Sequence, residues 1–524
     1  MGSDDAKTAL IKQMQFPVGV LACLQAGSIF YLAIYFDFIQ EKYRIKDEVF
    51  AWFEFMLNSF SLFGVVPGLL LKWLKPKKTA IFGGVLIVIG QMLTVLLISS
   101  EHDKIKENPE WLLGSICVIT GQGACMVLLA CLQALMNMQT IQASHVISTC
   151  LLAYFLGADS FIMSIKDGLF ETTSFTNFTM GLAIAAFILT ILNAAVITDE
   201  EDSEGFFGKA VALTKGVIYK KTNYLHLVIL AVYMGVLSYS YFEEGLADQT
   251  AAISLSALVL LNLFVPISLV FLMDPDRIKS LVGEPSDIEK QMSKKGTDLT
   301  FSEAAQRLDF WYMSICAMIV IGASRLFDGN ALALGMHDEK SEEMIEQTYA
   351  VFQVIGAVVM GALMTLFRAK LPPSAIVVLV LFISLLGQLP MIWPNEAKEF
   401  VNPMRTAVAT ASFAEGGLLV ALASLVHEEY GTESFGVLYG TMLTFGSMGL
   451  YAFNEVFFPN IFEWYSEESV AGYDYFKSYG QWNVFLFSVF AAMYFICFIL
   501  AVVSHISIRK RDGGDGDKVG MIQF

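Results

Sequence analysis

Charge is scarce in this sequence. Only 16% of its 524 residues are Asp, Glu, Lys or Arg, where a soluble globular domain carries about a quarter. Histidine is rare too, at 6 residues. The cysteines (Cys23, Cys117, Cys125, Cys131, Cys150, Cys316, Cys497) all fall within apolar stretches, and none has metal-ligand spacing in a loop. That argues against a zinc module or a disulfide scaffold and leaves buried free thiols. Nucleophile triads and nucleotide fingerprints are also missing. GFFGKA (205–210) has the wrong spacing for a phosphate loop, and no Ser or Thr follows Lys209. No enzyme, metal or other cofactor is expected. The net charge of −17, concentrated in loops such as TDEEDSEG (198–205), argues against a nucleic-acid partner.

What the chain has instead is apolar length. Hydrophobic residues make up 56% of it and the mean hydropathy is +0.60. They come in blocks such as AIFGGVLIVIGQMLTVLLIS (80–99), long enough for the roughly 20-residue helix that crosses a bilayer. Fourteen such segments can be placed, near 17–38, 49–73, 78–99, 111–135, 142–165, 176–197, 224–242, 250–273, 309–327, 346–367, 374–394, 403–427, 433–455 and 481–505. A membrane barrel would need segments of about 10 residues with alternating polarity, and none occurs. The expectation is an all-α polytopic membrane protein. Its first segment reads as a span rather than a cleaved signal, because it ends in the charged FDF and a second span follows. Ala6 stands where a myristoylation signal has Ser or Thr.

One stretch is written twice. GVVPGLLLKWLKPKKTAIFGGVLIVIGQM (64–92) aligns without a gap to GALMTLFRAKLPPSAIVVLVLFISLLGQL (361–389), matching Gly64 to Gly361, Pro76 to Pro373, Gly90 to Gly387 and Gln91 to Gln388. A fixed offset of this kind marks an internal duplication. Spans 1–6 and 9–14 then form two equivalent six-helix bundles, and spans 7 and 8 are an inserted pair. The expected units are 1–198, an insert at 199–308 with helices near 224–242 and 250–273, 309–505, and a tail at 506–524. With both termini cytoplasmic, 22 of the 33 Lys and Arg lie on that side and 10 on the other, the asymmetry that the positive-inside rule requires. Which membrane holds the protein is not written in the sequence.

Duplicated six-span halves are the plan of the major facilitator superfamily. AGSIFYLAIYFDFIQEKY in span 1, RLDFWYMSICAMIVIGASRLFDGNALALG (307–335) and HEEYGTESFGVLYG (427–440) resemble the opening helix, the start of the second half and the Glu-x-Phe-Gly signature of its nodulin-like branch. The resemblance implies alternating access to a central site lined by spans 1, 4, 9 and 12. One departure stands out. The superfamily's loop after the second helix usually reads Gly-x-x-x-Asp-x-x-Gly-Arg-Arg/Lys. Here Gly64 and Gly68 lead into Lys72, which replaces the acid, and Lys75, which replaces the second glycine, followed by Pro76, Lys77 and Lys78. Without the acid, the usual cytoplasmic latch is not expected.

Charges at membrane depth are costly and default to function. Asp37, Glu54, Asp159, Arg325, Asp328 and Glu415 lie in spans. Arg325 is expected to hold a substrate carboxylate, with Glu415, Gln122 and Asn330 completing the site. Asp159, Glu54, Asp37 and Asp328 are expected in proton coupling or gating. Arg325 would pair with the outer acids Asp37, Glu54 or Asp159, while Glu415 lies nearer the middle beside the small residues of FAEGG. The reading is a secondary active or facilitative transporter of a small, carboxylate-bearing organic solute, such as a monocarboxylate or an amino acid, with possible proton coupling. The altered loop keeps a competing reading open, that of a non-transporting receptor or scaffold subunit. In either case the inserted helices could dock a membrane-protein partner.

Overall fold

The structure is a computed structural model that describes residues 3–45, 47–100, 109–137, 141–197, 218–242, 250–261, 298–329, 339–367, 370–392, 401–460 and 475–514. No strand occurs among them. Each of the fourteen expected segments overlaps a helix, and residues 262–273 of the eighth lie outside the described residues. Span 1 is α1 (Ser3–Gly27), continued through a 3₁₀ turn at Ser28–Tyr31 into α2 (Leu32–Tyr43). Span 2 begins in α3 (Asp47–Leu62) and ends in α4 (Val65–Ser99), which also carries span 3. Span 4 is α5 (Pro109–Asn137), span 5 is α6 (Ile141–Leu156) with α7 (Ala158–Leu169), and span 6 is α8 (Phe175–Val196). The inserted helices are α9 (Ile218–Phe242) and α10 (Thr250–Leu261). A short α11 (Phe301–Ala305) precedes α12 (Leu308–Gly329), α13 (Glu339–Leu366), α14 (Pro373–Ile392), α15 (Val401–Glu429), α16 (Phe435–Leu450) and α17 (Tyr475–Gly514), which are spans 9 to 14. Span 13 continues from α16 into a π-helical stretch, Tyr451–Phe457. The last helix runs past residue 505, so the start of the expected tail is helical.

The two bundles repeat each other in packing as well as in order. Within the first half, span 3 packs on spans 4 and 6, span 2 on span 4, and span 1 on spans 4, 5 and 6. In the second half the same partners recur eight spans later: span 11 on 12 and 14, span 10 on 12, and span 9 on 12, 13 and 14. The repeated glycines explain how. A methyl on Gly90 would run into Thr120 of span 4, and one on Gly387 would run into Thr410 of span 12. Each permits the same close crossing between the third and fourth helices of its half.

The lysine elbow joins spans 2 and 3 through a kink. Lys75 has φ 64 and ψ 166, a conformation that is almost reserved for glycine, and Pro76 follows it. This is the position where the superfamily loop carries its second glycine, so the departure noted above places a strained lysine at the turn. Arg368 of the matching elbow lies outside the described residues.

The halves meet at the elbow end of the bundle along two seams. In one, span 2 lies against span 13, backbone to backbone, with Gly64 on Gly440 and Gly68 on Gly436. In the other, span 10 lies against span 5, with Gly361 on Thr149. Gly64 and Gly361 are the first matched pair of the repeat, and each sits in one of the two equivalent seams. Polar contacts reinforce them. The Val65 amide donates to Thr444 Oγ1 (3.0 Å), Gln133 Nε2 to the Thr432 carbonyl (3.2 Å), and Ser148 and Ser424 share a hydrogen bond (3.2 Å). His145 Nε2 lies 2.9 Å from Glu428 Oε1. Glycine contact and these pairs thus join the halves at the elbow end.

Helix α9 lies across the second seam. It packs on span 5 of the first half and span 10 of the second. Its Tyr233 ring meets Tyr154 at 5.1 Å and the hydroxyl donates to the Gly157 carbonyl (3.4 Å), where span 5 bends by 48°. A methyl on Gly157 would touch Val354 of span 10 and Leu237 of α9, so all three elements converge there. The far edge of α9 exposes Leu225, Val228, Val232 and Tyr239, the stripe expected of a helix with one side in lipid.

Candidate functional site

Arg325 and Glu415 form the centre of the site. Arg325 sits in α12, about 25 Å along the helix from Leu308, and Glu415 is about 21 Å from Glu429 at the same end of α15, at 1.5 Å per residue. The two helices therefore bring them to similar depth, and the long arginine side chain spans the remainder. The guanidinium Nε donates to Glu415 Oε1 at 3.1 Å. Helix α15 continues to Glu429 and carries Glu415 to this depth; of the outer acids, Asp159 also acts electrostatically with Arg325. Glu415 is fully buried, and Arg325 retains 11% side-chain exposure.

Three residues that sequence reasoning missed complete the arrangement. Arg325 Nη1 donates to Asn58 Oδ1 (3.2 Å), a bond from the second half to the first. The Tyr349 hydroxyl donates to the other carboxylate oxygen, Glu415 Oε2, at 2.6 Å, and Gln353 Nε2 donates to that hydroxyl at 3.2 Å. The guanidinium also lies over two rings, Tyr349 at 5.3 Å and Phe30 of span 1 at 5.5 Å, an arrangement that favours a partly desolvated cation. Both carboxylate oxygens are thus occupied, one by a cation and one by a phenol. The only hint in the sequence was polarity at membrane depth: Asn58 in FMLNSF, and Tyr349 and Gln353 one helical turn apart.

Glycines fix part of this geometry. A methyl on Gly416 would collide with the Gln353 carbonyl, and one on Gly356 with the Phe413 carbonyl. Spans 10 and 12 therefore touch at backbone level on either side of Glu415, which holds Tyr349 and Glu415 in register. The small residues of FAEGG permit these contacts.

Asp159 opens α7 just past the Gly157 bend, accepts a hydrogen bond from Ser160 Oγ (3.2 Å) and feels the Arg325 charge. Gln122 has a structural task. Pro67 has no N–H, so the Phe63 carbonyl, four residues earlier, loses its helical donor. Gln122 Nε2 donates to that carbonyl (3.0 Å) and to Phe60 O (2.8 Å), closing the break in span 2. Its amide nitrogen is committed to backbone, not to a ligand. Gly64 and Gly68 lie in the seam, Pro76 at the kink, and Lys72, Lys77 and Lys78 at the elbow, with Lys72 and Lys78 exposed. Asn330 and the side chains of Asp37, Glu54 and Asp328 lie outside the described residues. No group of three or more His, Cys, Asp or Glu with metal-binding geometry occurs among the described residues.

Solved structures share this architecture. The major facilitator superfamily proton:xylose symporter XylE, bound to 6-bromo-6-deoxy-D-glucose, is similar with a TM-score of 0.57 and 11% identity, over 94% of this chain and 95% of that one. The superfamily transporter FucP in its outward conformation gives 0.47 and 12%, over 94% and 99%. The human organic anion transporter TETRAN gives 0.48 and 10%, over 96% and 100%. No family model and no curated protein matches the sequence. Two equivalent six-helix bundles, with an inserted helix pair between them in sequence, give this integral membrane protein the major facilitator fold.

Proposed function

We propose that the protein is a secondary transporter of a small, carboxylate-bearing organic solute, working by alternating access, with its elbow end in the cytoplasm. The observation that carries the reading is the buried Arg325–Glu415 pair, tied across the halves through Asn58. A guanidinium binds a carboxylate through two parallel hydrogen bonds. A substrate carboxylate that takes Arg325 displaces Glu415, and a buried carboxylate without its cation is strongly disfavoured. Glu415 then takes a proton, so that anion and proton enter the site together. The same displacement releases Asn58 and removes a bond that holds span 2 to span 9. Rocking of the halves follows from loss of that tie. Asp159, on the bent span 5, is the second acid of the site and a gating group.

The fold supports this reading, since a proton:xylose symporter is built on it. The Asp-Phe-Trp and Glu-x-Phe-Gly motifs support reading the chain as similar to the nodulin-like branch. Uptake of labelled monocarboxylates and amino acids into proteoliposomes, with and without an inward proton gradient, tests the proposal. Expected is uptake that the gradient stimulates and that Arg325→Ala abolishes. Folded wild-type protein that carries nothing across such a panel would overturn it.

A further inference from the structure

We propose that Tyr349 is the positioning residue that sets the proton affinity of Glu415, and through it the coupling of proton to substrate; this rests on the transport reading above. Tyr349 touches both members of the ion pair, its hydroxyl on Glu415 Oε2 and its ring beside the Arg325 guanidinium. When Arg325 turns to a substrate carboxylate, the phenol stays. The backbone contacts of Gly356 and Gly416 lock span 10 to span 12 and keep Tyr349 on Glu415.

A phenol suits this position because it can serve both charge states. It donates to the carboxylate, and once Glu415 is protonated its oxygen can accept from the carboxylic acid. Gln353 holds that oxygen in place by donating to it from one turn farther along span 10. Tyr349 and Gln353 are nearly fully buried, and Glu415 fully so, so water does not substitute easily for any of them. The groups that face Glu415 from the packed elements are Arg325 of span 9, Tyr349 of span 10 and Tyr494 of span 14; Asp159 of span 5 acts through Arg325. Tyr494 is a useful contrast. It is also buried and lies in the field of Glu415, yet its hydroxyl has no hydrogen-bond partner among the described residues.

Tyr349→Phe removes one oxygen and leaves the ring beside Arg325. Hydrogen bonds to charged groups are strong enough that losing this one should favour the protonated Glu415, which the measurement reads as an upward shift of its midpoint. The measurement is infrared difference titration of purified protein, reading the protonated carboxyl band that Glu415→Gln abolishes, together with the pH profile of uptake. Expected is an upward shift of both midpoints in Tyr349→Phe, a smaller one in Gln353→Ala and none in Tyr494→Phe. A variant that merely folds less well would lower uptake at every pH without moving either midpoint, and that result overturns the proposal. An unmoved infrared midpoint overturns it with transport intact. A shifted band in a protein that carries no substrate overturns the coupling role together with the transport reading.

Discussion

The sharpest mechanical prediction concerns Gly68. A methyl group there would lie 2.8 Å from the Gly436 carbonyl carbon and 2.9 Å from Val437 Cα. Those neighbours are backbone atoms, so no side chain can swing aside, and spans 2 and 13 must separate. Overpacking of this kind costs about 1–3 kcal/mol. Charged against the state closed at the elbow end, it shifts the equilibrium toward the open state by about 5-fold to 150-fold. Ser148 reports on this, since it is fully buried and bonded across the interface to Ser424. A cysteine at position 148 should react with a maleimide in proportion to the open population, and the native cysteines add little background because all are buried. Gly68→Ala should therefore speed labelling of Ser148→Cys by at least about fivefold. Gly181→Ala is the control, because a methyl there meets nothing within 4 Å. Equal labelling rates in the Gly68→Ala and parent proteins, at equal melting temperature, would refute the idea that backbone contact at this seam sets the closed state.

Other outcomes follow from individual residues. Lys75→Gly should stabilise the protein by about 1 kcal/mol, since strain of about 1–3 kcal/mol is relieved and only part is returned as chain entropy; a lower melting temperature would contradict the assigned backbone conformation. Arg325→Ala should destabilise by about 3–5 kcal/mol by leaving Glu415 buried without its cation. Adding Glu415→Gln should recover much of that loss in thermal unfolding, and a double variant no more stable than the single one would count against the pair. Glu303, which caps α11, is held below the usual carboxylate range by hydrogen bonds from the Thr300 backbone and side chain. Its depressed value means that the cap is fully present above the ordinary Glu value of about 4.3 and is lost as pH falls through the lower folded value. Amide exchange in 301–305, corrected for its intrinsic pH dependence, should lose protection over that interval, whereas Glu303→Gln should show no such step.

The duplication was legible because a repeated gene segment writes itself in register. Gly64, Gly90, Gly361 and Gly387 could be paired from the sequence, and each pair does one structural job in both halves. Arg325 and Glu415 were legible as ions at membrane depth, but their partnership was not. Which acid meets which base depends on the axial stagger of two helices whose paired residues are 90 apart in sequence, and no local pattern encodes that. Asn58, Tyr349 and Gln353 were hidden for a related reason, since single polar residues within apolar helices often serve packing. The backbone role of Gln122 was not read from the sequence although the clue was present: Pro67 leaves a carbonyl without a donor, and an amide on the adjacent span answers it.

The placement of Gly64 and Gly361 on opposite sides of the axis between the halves has a mechanical consequence. Two bearings, one on each side, let a body tilt without sliding, as a door does on paired hinges. Widening one bearing alone would skew the swing and open the molecule more on one flank than on the other. Among the described residues helix α9 packs on one of them, and that flank should open less than the other even though the bundles beneath it are equivalent.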